Sequence, residues 1–224
     1  RGSRLAPLTD MLPKPLVPVS GVPIIATILD ALHAAGISSI TLVRGYRGDA
    51  FNALRETYPQ ITFLDNPDWE TANNISSIAL AGRAGLLEDS YVIEGDLYLA
   101  NPAVIPPTQT RTNYIAFPVE STDDWCFDTD AAGKITYIDT ASDHPCHQML
   151  GLSYWTAEDG ARLADCANAL YAEEQYRQLY WDEIMLKYHL HECDVYIREC
   201  TREDVWEIDT VEELRELEAR MREK

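Results

Sequence analysis

Along the first half of the chain, apolar residues recur at helical spacing and then close up into short unbroken runs. Residues 22–35 place their aliphatic side chains at helical intervals and stop at Gly36, a favourable residue just past a helix end; residues 38–43 follow as a short buried strand. The same alternation predicts helices over 48–58 and 73–83 and strands over 61–64 and 90–93, the last running into Glu94-Gly95-Asp96. Repeated helix and strand predict right-handed crossovers and a Rossmann-like α/β fold. Its sheet is expected to be mainly parallel and flanked by helices, with functional groups at the carboxyl ends of its strands.

From residue 113 the pattern changes. Residues 113–119, 125–129 and 134–139 read as strands, with Asp130-Ala131-Ala132-Gly133 as a hairpin turn, so an antiparallel β insertion is expected. Residues 149–155 read as a returning strand. Residues 157–171 and 174–188 read as two helices that elaborate the C-terminal half, followed by strands over 194–199 and 205–208 and a charged helix over 211–223. No internal repeat, low-complexity tract or linker interrupts the sequence, so residues 1–224 read as a single domain.

At 224 residues and 46% hydrophobic content, the chain is long enough for one large domain with a substantial core. Lys and Arg number 18 against 37 Asp and Glu, a formal charge of -19. That charge opposes binding to nucleic acid or to an anionic membrane, so a polyanionic substrate has to be met by local cations or by a metal. No apolar run approaches the roughly 20 residues that span a bilayer, and a cytoplasmic protein is the expectation. Cys126, Cys146, Cys166, Cys193 and Cys200 are an odd number with no Cys-x-x-Cys pair, which argues against a disulfide framework. His144-Pro145-Cys146-His147, with Cys126, offers zinc-type ligands but lacks two well-spaced ligand pairs, and His189 and His191 read as surface residues.

Candidate chemistry starts at the N-terminus. Gly2, Ser3 and Arg4 open a loop that leads to Lys14 between Pro13 and Pro15. A glycine beside small and basic residues lets backbone N–H groups approach a phosphate chain, Arg4 and Lys14 can neutralise it, and the flanking prolines stiffen the stem that carries the amine. Asp96 follows the apolar run Tyr91-Val92-Ile93, and Asp209 follows Val205-Trp206-Glu207-Ile208. Each aspartate alone could be a turn or helix-capping residue. Two carboxylates at strand ends beside a phosphate loop suit Mg²⁺. Asn73-Asn74-Ile75-Ser76-Ser77 opens a helix with more polar groups than capping requires. Trp125, Trp155, Tyr180, Trp181 and Asp182 combine aromatic faces with a carboxylate, the chemistry that recognises an alkylammonium, although tryptophans also serve as ordinary core.

The segments Gly2-Ser3-Arg4-Leu5-Ala6-Pro7-Leu8-Thr9 and Pro13-Lys14-Pro15-Leu16-Val17-Pro18-Val19 resemble the signature of nucleotidyltransferases that join a nucleoside triphosphate to a phosphorylated acceptor. Further along, Glu120-x-Thr122-x-x-Trp125, Gly151-Leu152-Ser153-Tyr154-Trp155, Leu179-Tyr180-Trp181-Asp182, Asp194-Val195-Tyr196 and Glu207-Ile208-Asp209-Thr210 are similar to the bacterial CTP:phosphocholine cytidylyltransferases. The related domain that activates 2-aminoethylphosphonate with CTP is similar too. The resemblance spans essentially the whole chain, and implies a nucleotide-binding half over 1–110 and an acceptor-binding half over 111–224. It implies CMP transfer from CTP to phosphocholine, or alternatively to 2-aminoethylphosphonate, with Mg²⁺ as cofactor. It also implies that Asn74 and Ser76 or Ser77 help recognise cytosine. A sugar-1-phosphate nucleotidyltransferase or a non-catalytic nucleotide-binding module are further alternatives. The family signature follows a hydrophobic strand, whereas this chain starts at Arg1, so that first strand is expected to be absent here.

Overall fold

Burial of two adjacent faces of one short helix organises the first part of the molecule. The structure is a computed structural model and describes residues 3–223. In chain order the first elements are β1 (Pro18–Val19), β2 (Val22–Pro23), α1 (Ile24–Ala34), β3 (Thr41–Arg44), β4 (Thr62–Asp65), α2 (Ile75–Arg83), β5 (Ser90–Ile93) and β6 (Leu97–Leu99). Then come β7 (Asn113–Val119), β8 (Cys126–Thr129), β9 (Ile135–Asp139), β10 (Cys146–Trp155), α3 (Ala157–Ala172), α4 (Trp181–Glu183), β11 (Tyr196–Glu199), β12 (Val205–Glu207) and α5 (Val211–Glu223). The chain forms two compact units, Arg1–Phe63 with Glu94–Pro107 and Arg202–Lys224, and Leu64–Ile93 with Thr108–Thr201.

In the first unit, Ile24 of α1 joins Leu5, Val17, Val19, Tyr98, Ile208, Leu214 and Leu217 in one buried cluster, while Ile25, Ala26 and Leu29 join Leu16, Phe51, Leu54, Tyr58 and Ile61 in another. The first cluster ties the N-terminal loop to the connection between β12 and α5. Strand β6 pairs antiparallel with β12, and the Leu99 N–H donates to the Thr27 hydroxyl of α1 at 3.0 Å. Residues 48–58 form a 3₁₀ helix over Gly48–Glu56 instead of an α-helix. Its two buried side chains, Phe51 and Leu54, stand three apart, a spacing that a three-residue turn aligns as well as an α-helix does.

In the second unit, strands run in the order β11-β7-β10-β8-β9, with β5 also paired to β10. Pairing in this sheet is mixed: β11 runs parallel to β7, while β10 is antiparallel to β5, β7 and β8. Alternating helix and strand leads to an expectation of parallel pairing; here the ten-residue β10 lies between β5 and β7 and reverses it. The expected β8–β9 hairpin is present, with Gly133 at φ +77 in its turn. Helix α3 sits so close to the chain at Leu87 that a Cβ on Gly160 would stand 2.0 Å from the Leu87 carbonyl oxygen.

The helix expected over 174–188 is broken. A 3₁₀ turn at Glu174–Tyr176 gives way to extended backbone at Tyr180, then to α4 and a π turn at Ile184–Tyr188. The backbone groups that a continuous helix would pair internally are taken by the start of α2: the Arg177 carbonyl accepts from the Asn73 N–H at 2.8 Å, and the Trp181 N–H donates to Asn74 Oδ1 at 2.7 Å.

Candidate active site

Lys14 is the centre of the first unit's charge cluster. Its Nζ donates to Asp96 Oδ2 at 2.7 Å and to Asp209 Oδ1 at 2.5 Å, and Arg4 donates to the other oxygen of Asp209 at 2.7 Å. Each member is placed by its own local device. Lys14 starts a 3₁₀ turn closed by N–H donation from Leu16 to Pro13 and from Val17 to Lys14. Gly95 lets the backbone before Asp96 pack on Pro15, where a Cβ would already lie 3.3 Å from the proline ring. Burial of Leu5 beside Ile208 brings Arg4 to Asp209.

Asp209 itself is not the cap of α5. Thr210 is: its hydroxyl accepts from the Glu213 N–H at 3.2 Å, and the Glu213 carboxylate accepts from the N–H groups of Asp209 and Thr210 at 2.8 and 2.7 Å. With capping done by its neighbour, the Asp209 carboxylate is left to the cations. Lys14 is buried, with 9% of its side chain exposed, whereas Arg4 is 69% exposed. Burial by itself lowers the Lys14 pKa, but Asp96 and Asp209 outweigh it and hold the ammonium above its ordinary value. Lys14 therefore stays charged, while the exposed Arg4 ion pair adds only about 0 to 1 kcal/mol to stability. The two carboxylates already converge on one cation, and hard oxygen donors of this kind, with phosphate oxygens, are the set that Mg²⁺ takes; the donor chemistry fits that ion. Gly2 lies outside the described residues, as does the side chain of Ser3.

In the second unit, the polar residues opening α2 are engaged within the protein. Asn74 Oδ1 holds the Trp181 N–H, the Asn73 amide donates to the Gln178 carbonyl at 3.2 Å, and the buried Ser76 hydroxyl donates to the Asn73 carbonyl at 2.7 Å. Asn66 donates to both Ser76 and Ser77, at 2.8 and 3.1 Å. Sequence reasoning misses Asn66, since nothing local marks it as a partner of residues ten positions on.

The aromatic candidates divide into two groups. Trp155 and Trp181 are core residues, 0% and 3% exposed, packed against each other and against Tyr114, which stacks on Trp181 with 5.7 Å between centroids. Trp125 and Tyr180 form a separate edge-to-face pair at 5.9 Å in which Tyr180 is 48% exposed. The backbone of Trp125 is fixed by Asp124 Oδ1, which accepts its N–H at 2.7 Å, and by Met149, whose N–H donates to its carbonyl at 2.8 Å. Asp182 lies buried beneath the core rings and accepts from the Tyr114 hydroxyl at 3.0 Å. Burial raises its pKa to about 7, with Glu183 adding to the rise and the Tyr114 hydrogen bond opposing it. Of the expected ammonium-binding set, the structure brings Trp125 and Tyr180 together with exposed surface, and encloses Trp155, Trp181 and Asp182. Tyr114, central to that enclosure, reads in the sequence only as another strand residue.

The His-Pro-Cys-His segment does not gather ligands: His144 faces Asp128 at 3.1 Å, and His147 faces Glu199 at 3.4 Å. Among the described residues no helix is long and apolar enough to cross a membrane.

A lysine thus bridges two strand-end carboxylates, and the chain that holds this cluster is similar to known proteins. The chain is 37% identical to a 2-aminoethylphosphonate cytidylyltransferase of Lancefieldella rimae over 95% of its own length and 86% of that protein. It is 30% identical to a choline-phosphate cytidylyltransferase of Streptococcus pneumoniae, covering 97% and 93% of the two chains. The solved structure of the CTP:phosphocholine cytidylyltransferase from Streptococcus pneumoniae superposes with a TM-score of 0.90 at 29% identity, covering 98% of this chain and 94% of that one. Residues 1–170 match the MobA-like NTP transferase domain, and the chain therefore belongs to that family of nucleotidyltransferases.

Proposed function

We propose that this enzyme transfers CMP from CTP to a small acceptor with an ammonium at one end and a phosphate or phosphonate at the other, releasing pyrophosphate. The cytidylyltransferase activity is the common ground of the relatives that match over nearly the whole chain. The observation that carries a phosphoryl-transfer reading is the Lys14 ammonium held between Asp96 and Asp209.

The acceptor's anionic oxygen attacks the α-phosphorus of CTP; the new P–O bond forms as the bond to the β-phosphate oxygen breaks, and pyrophosphate carries away the charge. The acceptor brings its own nucleophile, so the protein needs no covalent intermediate and acts through positioning and charge neutralisation. Arg4 and Lys14 neutralise the triphosphate, with Gly2 and Ser3 lending backbone N–H groups. Asp96 and Asp209 would hold Mg²⁺, whose contribution is to neutralise phosphate charge as pyrophosphate departs. Asn74 and Ser77 are the polar candidates for the cytosine edge; Ser76, being buried, acts by holding the turn that presents them.

Phosphocholine is the acceptor favoured by the Trp125–Tyr180 pair, since a quaternary ammonium binds aromatic faces and needs no hydrogen-bond acceptor. The enclosed Asp182 supports the same choice, because its carboxyl is bonded to Tyr114 rather than presented for a primary ammonium. A second reading, 2-aminoethylphosphonate, is favoured by the 37% identity to an enzyme of that name. Pyrophosphate release from CTP and Mg²⁺ with each acceptor in parallel decides between them. Release with phosphocholine is the expected result; release only with the phosphonate keeps the mechanism and replaces the acceptor. Release with neither, or full activity in Asp96→Asn, overturns the reading.

A further inference from the structure

Outside the phosphate-handling cluster, a different set of side chains converges in the second unit. Cys166 on α3 and the turn at residues 189–192 bring a sulfur, an imidazole nitrogen and a carboxylate oxygen within 4.8 Å of one another. Glu192 spans the other two, with Oε2 3.7 Å from Cys166 Sγ and Oε1 2.8 Å from His189 Nδ1. Around a tetrahedral zinc ion, with bonds of about 2.3 Å to sulfur and about 2.0 Å to nitrogen or oxygen, such pairs stand roughly 3.6 and 3.3 Å apart. The Cys166–Glu192 and His189–Glu192 pairs stand within about half an ångström of those spacings, each through a different carboxylate oxygen, and the sulfur and the imidazole nitrogen, within 4.8 Å of one another, draw together around the ion.

The surroundings match such a role. Cys166 is buried, His189 half-buried and Glu192 exposed, so the site has an inner anchor and an open side. Glu192 also lines a surface groove of about 440 Å³ together with His191 and Cys193, so one ligand of the set faces open surface. The turn is held independently of any ion: the Glu192 N–H donates to the His189 carbonyl at 2.9 Å, and Arg162 donates to the Glu192 carbonyl at 2.6 Å. His189 directly follows the π turn at Ile184–Tyr188, an irregularity of the kind found often at functional sites.

We propose that Cys166, His189 and Glu192 form a zinc-binding site with three protein ligands and a fourth position for water. A thiolate and an imidazole with a single carboxylate select a borderline-soft ion such as Zn²⁺ over Mg²⁺, which prefers oxygen alone. On binding, the S–Zn bond replaces the S–H bond of Cys166 and the proton passes to solvent. The ion ties α3 to the segment that follows the π turn. In the sequence His189 reads as a surface residue, since the decisive cysteine, Cys166, comes from another element.

The test uses the intact chain, stripped with a chelator and titrated with Zn²⁺ and, separately, Co²⁺. The expected result is one equivalent of tightly bound Zn²⁺, and a Co²⁺ spectrum carrying a thiolate-to-metal charge-transfer band. The band disappears in Cys166→Ser, and affinity falls more than about 100-fold in His189→Ala, beyond the loss caused by removing an outer-shell partner. Metal held only by Asp96 and Asp209 would give no such band, because its donors are oxygens. A spectrum without the band, a band surviving in Cys166→Ser, or unchanged affinity in His189→Ala overturns the proposal. Should Cys166→Ser fail to fold, the wild-type spectrum and the half-exposed His189 variant decide it.

Discussion

Replacing Asp182 by asparagine isolates the energetic consequence of a carboxyl enclosed by aromatic rings. Burial lifts this group from the ordinary 3.8 to about 7, with the neighbouring Glu183 adding to the rise. A carboxyl whose folded pKa stands above its unfolded one binds its proton more tightly in the folded state. Its contribution is complete below about pH 4 and is lost as pH climbs through about 7. At 1.36 kcal/mol for each pK unit, the loss is at most about 4 kcal/mol. The substituted amide would keep an oxygen for the Tyr114 hydroxyl and carry no charge at any pH. Urea unfolding of both proteins at steps from about pH 4 to about pH 8 reads the difference directly. The expected result is a wild-type stability that falls relative to Asp182→Asn across that range, leaving the variant the more stable protein at the alkaline end. Two curves that stay parallel throughout would refute the linkage and with it the enclosed, proton-holding state of Asp182.

Three further outcomes follow from the geometry. Lys14→Ala removes the cation shared by Asp96 and Asp209; pyrophosphate release should fall about 100- to 1,000-fold, while the Mg²⁺ concentration giving half the maximal rate drops because the competing ammonium is gone. A fall below tenfold would contradict the role given to Lys14. Tyr180→Ala should raise the acceptor KM by roughly tenfold, the worth of one aromatic face on a cation, with kcat little changed; steady-state kinetics with varied acceptor measure it. Gly160→Ala forces a methyl group onto the Leu87 carbonyl and should cost about 3 kcal/mol or more, seen as a lowered Tm.

Much of the architecture is legible in the sequence wherever local pattern and burial agree. Strands β5 and β7 and helix α5 have the expected limits, because apolar runs bounded by polar turns, or a charged amphipathic stretch, leave little competition. The stretch 174–188 misleads because its composition suits a helix while its backbone partners, Asn73 and Asn74, lie more than a hundred residues earlier. The 48–58 segment is legible as a turn of helix, but not as 3₁₀, since two buried residues three apart satisfy both periods. At the candidate site, Arg4, Lys14, Asp96 and Asp209 are all marked by their positions in the sequence, and the structure gathers all four. The Thr-x-x-Glu spacing at 210–213 is also on view and shifts the cap by one residue, away from Asp209. For the aromatic residues, composition does not separate Trp125 and Tyr180 from Trp155 and Trp181. Exposure depends on what packs above a ring, and Tyr114 belongs to another strand.

The interruption between Glu174 and Tyr188 also bears on how the molecule opens. The bonds from Asn73 to Arg177 and from Trp181 to Asn74 close a long stretch of chain, so both carry the closure entropy of a long loop. They are also joint: fraying the first turn of α2 releases both amides at once. The hydrogens of Asn73 and Trp181, although far apart in the chain, should exchange with solvent at one rate.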